Sequence, residues 1–179
     1  LPAETAISDW IAFDDAVPGM ALIGSYGTGK STLARKIAHD AAVQYRSGRS
    51  KRIPILIELK EFSSHQRVEG LITHVLVNHY GVPNGSYSVF SRLNALGKIL
   101  LILDGFDEMK QGMTHDALLF NFNELFRVCE GKAKVLLCGR PTMFLSEEEQ
   151  DAVLSSRSIY LENKGAKFCT TRLLALEPN

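Results

Sequence analysis

The residues whose types and spacing point to chemistry form the glycine-rich octapeptide Gly24-Ser25-Tyr26-Gly27-Thr28-Gly29-Lys30-Ser31, followed by Thr32. Its glycines allow backbone angles that a side chain would forbid, so that successive N–H groups can turn inward around a pyrophosphate. Lys30 supplies a point charge for the β- and γ-phosphates, and the Ser31 hydroxyl can ligate Mg²⁺. The pattern G-x-x-x-x-G-K-S therefore predicts a phosphate-binding loop.

A second group of charged residues follows the most apolar stretch of the chain. Asp104, Asp107 and Glu108 come directly after residues 98–103, and Arg140 follows another apolar stretch at 134–138. Three carboxylates this close repel one another, and a cation would relieve that repulsion. Ligands of open α/β sheets bind outside the carboxyl ends of the strands, so we expect both groups to lie beside the phosphate loop.

The elements that must position these residues are strands and helices of an α/β fold. Residues 20–23 form a short apolar strand before the loop, and Leu33 and Ile37 mark one face of the helix after it. Further strands are predicted at 53–59, 98–104, 134–138 and 172–176. Apolar strands without polar interruption are typical of a parallel sheet that is covered on both faces. Residues 158–161 are a further strand candidate, but 172–176 is preferred as the last core strand, and the region 158–171 is expected to be an inserted hairpin.

Composition favours a single globular domain that spans residues 1–179, with 45% apolar residues and zero net charge. The charge balance gives no signal for nucleic acid or for a membrane surface, and no apolar run reaches the length of a membrane span.

Three widely spaced cysteines fit neither a disulfide framework nor a zinc site, so we expect a reducing, cytoplasmic location. His74 and His79 are five residues apart and are expected on different helix faces, which argues against a histidine metal site. Because Leu1 replaces an initiator Met, we expect the chain to be a piece of a longer multidomain protein.

The motifs together resemble the NACHT family of STAND P-loop NTPases, which are related to AAA+ proteins. The resemblance rests on the phosphate loop, the strand entry Ile53-Pro54-Ile55, the segment Leu103-Asp104-Gly105-Phe106-Asp107-Glu108 and the segment Cys138-Gly139-Arg140-Pro141. It implies a three-layer α/β/α P-loop fold whose central, mostly parallel, five-stranded sheet has the order 5-1-4-3-2. The strand that ends at Arg140 would then lie between the phosphate-loop strand and the strand that ends at Asp104.

The same resemblance implies a role for each charged residue. Asp104 looks like the Walker B aspartate, which with Ser31 of Walker A would hold Mg²⁺. Asp107 or Glu108 looks like the base that orients the attacking water, and both remain candidates. Arg140 looks like the sensor-1 residue that detects the γ-phosphate, and its guanidinium would also offset charge that develops during transfer.

The function that the resemblance implies is an ATP-binding, slowly ATP-hydrolysing switch in signalling, in innate immunity or antiphage defence. Nucleotide state would control assembly into a homo-oligomer, and the partners would be winged-helix, effector and sensor-repeat domains of the same protein. The winged-helix module that usually completes such a site is not within this sequence.

Other functions of a phosphate loop fit the sequence less well. A small-molecule kinase would carry an arginine-rich lid, a helicase would need an electropositive channel, and a GTPase would need an N-K-x-D motif. The nearest match to that motif, Asn163-Lys164-Gly165-Ala166, lacks the aspartate. The open alternative is a scaffold that binds nucleotide without turnover.

Overall fold

Strands and helices alternate along the chain in the computed structural model, which describes residues 2–60, 67–107, 115–140 and 168–173. The strands are β1 (Gly19–Gly24), β2 (Ile53–Glu58), β3 (Ile99–Asp104), β4 (Lys134–Gly139) and β5 (Phe168–Leu173). The helices are α1 (Ala3–Ala12), α2 (Lys30–Arg46), α3 (Val68–His74), α4 (Tyr87–Ala95) and α5 (His115–Phe126), and a π-helical turn, Val75–His79, follows α3.

The five strands form one sheet in the order β2-β3-β4-β1-β5, and every described pair is parallel. This is the predicted order read from the opposite edge, and β4 lies between β1 and β3 as expected. Because the strands are parallel, their carboxyl ends meet at one edge of the sheet. Gly24, Asp104 and Gly139 are the last residues of β1, β3 and β4 and lie at that edge.

Two apolar layers cover the sheet, because successive side chains of a strand point to opposite faces. Ala21 and Ile23 of β1 belong to a core that also contains side chains of α3, α4 and α5. Met20 and Leu22 belong to a second core with side chains of α1 and α2. The predicted three-layer α/β/α arrangement is confirmed. No helix of this described part of the chain is long and apolar enough to cross a membrane.

The predicted last strand at 172–176 is wrong in position. The structure places β5 earlier, in parallel register with β1 from Gly19 opposite Phe168 to Gly24 opposite Leu173. Thr170 is exposed. A strand at the edge of a sheet is paired on one side only and does not need the continuous apolar run that guided the prediction. The segment 158–171 therefore contributes its last four residues to β5, and the remainder, with the predicted hairpin, lies outside the described residues.

The expectation that His74 and His79 lie on different helix faces is wrong, because a π-helical turn follows α3. Hydrogen bonds from residue i to i+5 bring residues five apart onto one face. The ring centroids of His74 and His79 lie 5.6 Å apart, with 74° between the ring planes. Even so, the described residues contain no group of three histidine, cysteine or acidic side chains that could hold a metal ion.

Polar contacts close the opposite, amino-terminal edge of the sheet. The Arg52 side chain is only 3% exposed, and its guanidinium donates to Asp14 Oδ1 at 2.7 Å and to the Lys132 carbonyl at 3.0 Å. The buried Lys134 ammonium donates to the Ala16 carbonyl at 3.1 Å. These bonds tie the segment after α1 to the starts of the strands, far from the phosphate loop.

Candidate functional site

The phosphate loop connects β1 to α2, and backbone conformation explains its glycines. Gly27 and Gly29 have φ values of +74° and +84°, in the left-handed region that L side chains rarely adopt. A Cβ placed at either position would meet no atom of the protein within 4 Å. Glycine is therefore required by the backbone and not by crowding within the chain, and the loop encloses space that a ligand can occupy.

Lys30 is the first residue of α2, and its side chain folds back over this loop. Its Nζ donates to the carbonyls of Gly24 and Ser25, each at 2.7 Å. The Thr28 hydroxyl donates to the same Ser25 carbonyl at 2.9 Å. The loop thus holds the ammonium group against its own backbone, at the amino end of a helix, where anions bind favourably.

The charges around Lys30 come from the carboxyl ends of β3 and β4. Partial burial is the main cause that lowers the pKa of Lys30, and the positive charge of Arg140 lowers it further. The carboxylates of Asp107 and Asp104 oppose this effect and favour the charged ammonium. Burial has removed part of the water around the Lys30 ammonium, and phosphate oxygens would take the place of that water. A bound anion would therefore stabilise the charged lysine.

Asp104 ends β3 and is 8% exposed, directly opposite Glu58 of β2 in the strand register. A buried carboxylate at a ligand-binding edge, with the Ser31 hydroxyl in the first turn of α2, is a donor set of the kind Mg²⁺ uses. Mg²⁺ retains several waters and takes few protein ligands, so the absence of a three-ligand group among the described residues does not conflict with it. The Asp104 carboxylate and the Ser31 hydroxyl therefore fit the oxygen ligands that a hydrated Mg²⁺ ion would take.

Arg140 and Asp107 form an ion pair across the carboxyl ends of β4 and β3. Arg140 Nε lies 2.7 Å from Asp107 Oδ2, and the aspartate side chain is 12% exposed. The Arg140 guanidinium also lies over the ring of Tyr26, with its Cζ 4.9 Å from the ring centroid. The structure therefore brings Asp104, Asp107, Arg140 and the phosphate loop to one edge. Glu108, the other candidate for the base besides Asp107, lies outside the described residues.

Glu58 is a charged residue of this edge that sequence reasoning did not single out. It ends β2, and its carboxylate pairs with Arg35 at 3.1 Å and with Lys60 at 2.5 Å. Hydrogen bonds from Lys60 and Arg35 hold the pKa of Glu58 below its usual value. Its place at the carboxyl end of a predicted strand is the signal that would have found it.

A cavity of about 780 Å³ lies at the other edge of the sheet, between α1, the end of α2 and residues 48–52. Its position excludes it as the phosphate site, because the loop and the strand carboxyl ends lie at the opposite edge. Its charged side chains are largely paired with one another: Asp14 with Lys51 and Arg52, and Glu4 and Asp40 with Lys36. We therefore assign the phosphate chemistry to the loop and not to this cavity.

A parallel sheet whose first strand leads through a glycine-rich loop into a helix defines a P-loop NTPase fold. The NACHT domain family matches residues 19–165, and the chain belongs to this family. An uncharacterized WD repeat-containing protein of Nostoc sp. is 31% identical over 156 residues, which cover 84% of this chain and 10% of that protein. The chain therefore spans about a tenth of the length of this curated relative.

The fold is also similar to that of a solved structure, the Drosophila ORC bound to DNA. The match has a TM-score of 0.51 and 12% sequence identity, and covers 99% of this chain and 44% of that chain. At this identity the likeness concerns the fold alone. It supports the α/β architecture described above.

Proposed function

We propose that this chain is the nucleotide-binding core of a molecular switch that binds ATP with Mg²⁺ and hydrolyses it slowly to ADP and phosphate. The observation that carries the proposal is the open glycine loop with Lys30 folded over it. Asp104, Asp107 and Arg140 interact electrostatically with this lysine. Membership of the NACHT family supports the same reading.

Residues 24–32 would bind the phosphates through backbone N–H groups, the Lys30 ammonium and the Thr32 and Ser31 hydroxyls. Lys30 would exchange its bonds to the Gly24 and Ser25 carbonyls for bonds to phosphate oxygens. Ser31 and Asp104 would hold Mg²⁺. When bound, this ion neutralises charge on the phosphates and orients them for in-line attack.

Hydrolysis requires a carboxylate that orients the attacking water and a cation that stabilises charge on the γ-phosphate. Asp107 and Glu108 are the candidates for the first role and Arg140 for the second. Asp107 is bound to Arg140 at 2.7 Å, so its carboxylate is engaged until the arginine takes another partner. This favours Glu108 as the base, with Asp107 as a partner of the arginine.

The wider role follows from the family. We infer that residues 1–179 form one domain of a larger cytoplasmic signalling protein in innate immunity or antiphage defence, in which nucleotide state controls homo-oligomerisation. Winged-helix, effector and sensor-repeat domains would be its partners within the chain. The length of the Nostoc relative and its WD repeats support a multidomain context.

A second candidate is a nucleotide-binding scaffold without turnover, and a specific observation favours it. The Asp107–Arg140 ion pair occupies two of the groups that hydrolysis would need. If no partner subunit or domain separates them, the domain would bind ATP and retain it.

The test measures binding and turnover of ATP and GTP with Mg²⁺ in wild type and three variants. Lys30→Ala should weaken ATP binding at least tenfold, because a hydrogen bond to a charged group is worth about 1.5–3 kcal/mol. Lys36→Ala is the matched control: it removes the same charge from the exposed face of the same helix and should leave binding unchanged.

Glu108→Gln separates the two candidate functions. Binding that persists while turnover disappears would identify an ATPase with Glu108 as base. Wild-type binding without turnover would favour the scaffold. Unchanged ATP affinity in Lys30→Ala would refute the nucleotide site itself.

A further inference from the structure

The phosphate loop carries an exposed aromatic ring that phosphate binding does not explain. Tyr26 is 83% exposed, in a loop whose other positions are small or polar. Its ring lies against the Arg140 guanidinium, 4.9 Å from centroid to Cζ. A cation over an aromatic face is attracted by the ring quadrupole.

Two different partners therefore hold the Arg140 guanidinium. Asp107 Oδ2 lies 2.7 Å from Arg140 Nε, and Arg140 Cζ lies over the face of the Tyr26 ring. The ion pair and the cation–π contact involve different atoms of the arginine, so both exist together. The guanidinium has five N–H donors in a planar fork, so the other nitrogens can donate to a phosphate while the ring stays in place.

The ring matters because the arginine side chain is long and 37% exposed. Without the contact with the Tyr26 ring, the arginine side chain would sample many rotamers. Fixing one of them when a ligand binds would then cost conformational entropy. Tyr26 lies in the phosphate loop itself, so it ties the arginine to the segment that binds the β- and γ-phosphates. The contact with the ring thereby keeps the guanidinium beside the phosphate loop.

We propose that Tyr26 is a positioning residue that presents Arg140 to the third phosphate and thereby increases the preference for a nucleoside triphosphate over a diphosphate. This inference rests on the proposed function. A diphosphate lacks the group that the arginine would contact, so ADP binding does not depend on the ring. The γ-phosphate would accept from the guanidinium nitrogens other than Nε, which faces Asp107.

The experiment measures the dissociation constants of ATP and ADP, with Mg²⁺, by calorimetry for wild type, Tyr26→Leu and Tyr26→Phe. Tyr26→Leu should weaken ATP about two- to fivefold, the range expected for an exposed cation–π contact, and leave ADP unchanged. Tyr26→Phe keeps the aromatic ring and should have the wild-type ratio of ATP and ADP dissociation constants. Phe13→Leu, at another exposed aromatic (70% exposed), is the control and should change neither constant.

A second arm tests whether Tyr26 acts through the arginine. In an Arg140→Gln background, Tyr26→Leu should have no further effect on ATP affinity. An equal loss of ATP and ADP affinity would overturn the proposal, because it would mean that the ring binds the shared part of the nucleotide. An effect that persists without Arg140 would overturn it as well.

The Lys30→Ala variant keeps this failure distinct from failure of the proposed function. If wild type binds both nucleotides and Lys30→Ala does not, the nucleotide site is supported. The ratio of the ATP and ADP dissociation constants in the Tyr26 variants then tests the role of Tyr26 alone. If wild type binds neither nucleotide, the site and the role of Tyr26 are both refuted.

Discussion

Replacing Gly29 with alanine should separate the stability of the fold from its capacity to bind nucleotide. Gly29 precedes α2 with φ +84°, and an added Cβ would meet no protein atom within 4 Å. The cost to the empty protein is therefore backbone strain alone, about 1–2 kcal/mol for an L residue in the left-handed region. In a domain of this size that corresponds to a decrease in Tm of roughly 2–8 °C.

The effect on ATP should be larger, because the methyl group projects into the space that the loop leaves open. Losing one charge-assisted hydrogen bond to phosphate costs roughly 1.5–3 kcal/mol, or about 10- to 150-fold in affinity. ATP at 100 times its Kd stabilises a protein by about 2.7 kcal/mol, which would raise the wild-type Tm by roughly 5–11 °C. After a 100-fold loss of affinity, the same ATP concentration would give only about 0.4 kcal/mol, a shift of about 1 °C.

Gly48→Ala is the matched control. Gly48 lies in the turn after α2 with φ +73°, and an added Cβ again meets no atom within 4 Å. It should lower Tm by a similar amount while keeping the full ATP-dependent increase. The assay is thermal unfolding with and without ATP and Mg²⁺; a normal ATP shift in Gly29→Ala, or a lost shift in Gly48→Ala, would refute the reasoning.

Two further predictions concern the fold. Hydrogen bonding to Lys51, together with the charge of Arg52, holds the pKa of Asp14 below its usual 3.8. A lowered carboxyl pKa contributes stability that is present above the unfolded value and lost as pH falls through the folded one. Asp14→Asn should therefore lower the free energy of unfolding by about 2 kcal/mol at pH 7, since it leaves the buried Arg52 without its charge partner. Urea titrations at several pH values should show that the free energy of unfolding of Asp14→Asn declines less steeply below about pH 4 than that of wild type. An equally steep decline in the two proteins would contradict this. Tyr80 donates to the Leu56 carbonyl at 3.1 Å and accepts from its N–H at 2.9 Å, at the edge strand β2. Tyr80→Phe should cost about 1 kcal/mol and increase light scattering, because it uncovers backbone groups that another chain can pair with. Equal Tm and scattering in the two proteins would count against this role.

The sequence by itself determined the parts of this protein that are local in the chain. A phosphate loop consists of consecutive residues, so its glycines, its lysine and the strand and helix on either side could be predicted together. Four of the five strands could also be predicted from their apolar runs. Three of them, β1, β3 and β4, are buried along their whole length, as strands of a covered parallel sheet are, and the edge strand β2 carries a similar run of isoleucine and leucine. The strand order came from the family resemblance, and the structure agrees with it.

Only the tertiary structure decided the contacts between segments that are far apart. The edge strand β5 has no apolar run to mark it, so its position is set by its register with β1. The π-helical turn brings His74 and His79 together through backbone hydrogen bonding that residue types do not encode. Arg140 meets both Asp107 and Tyr26 because parallel strands bring their carboxyl ends to one edge, and the choice between such partners depends on side-chain reach in three dimensions.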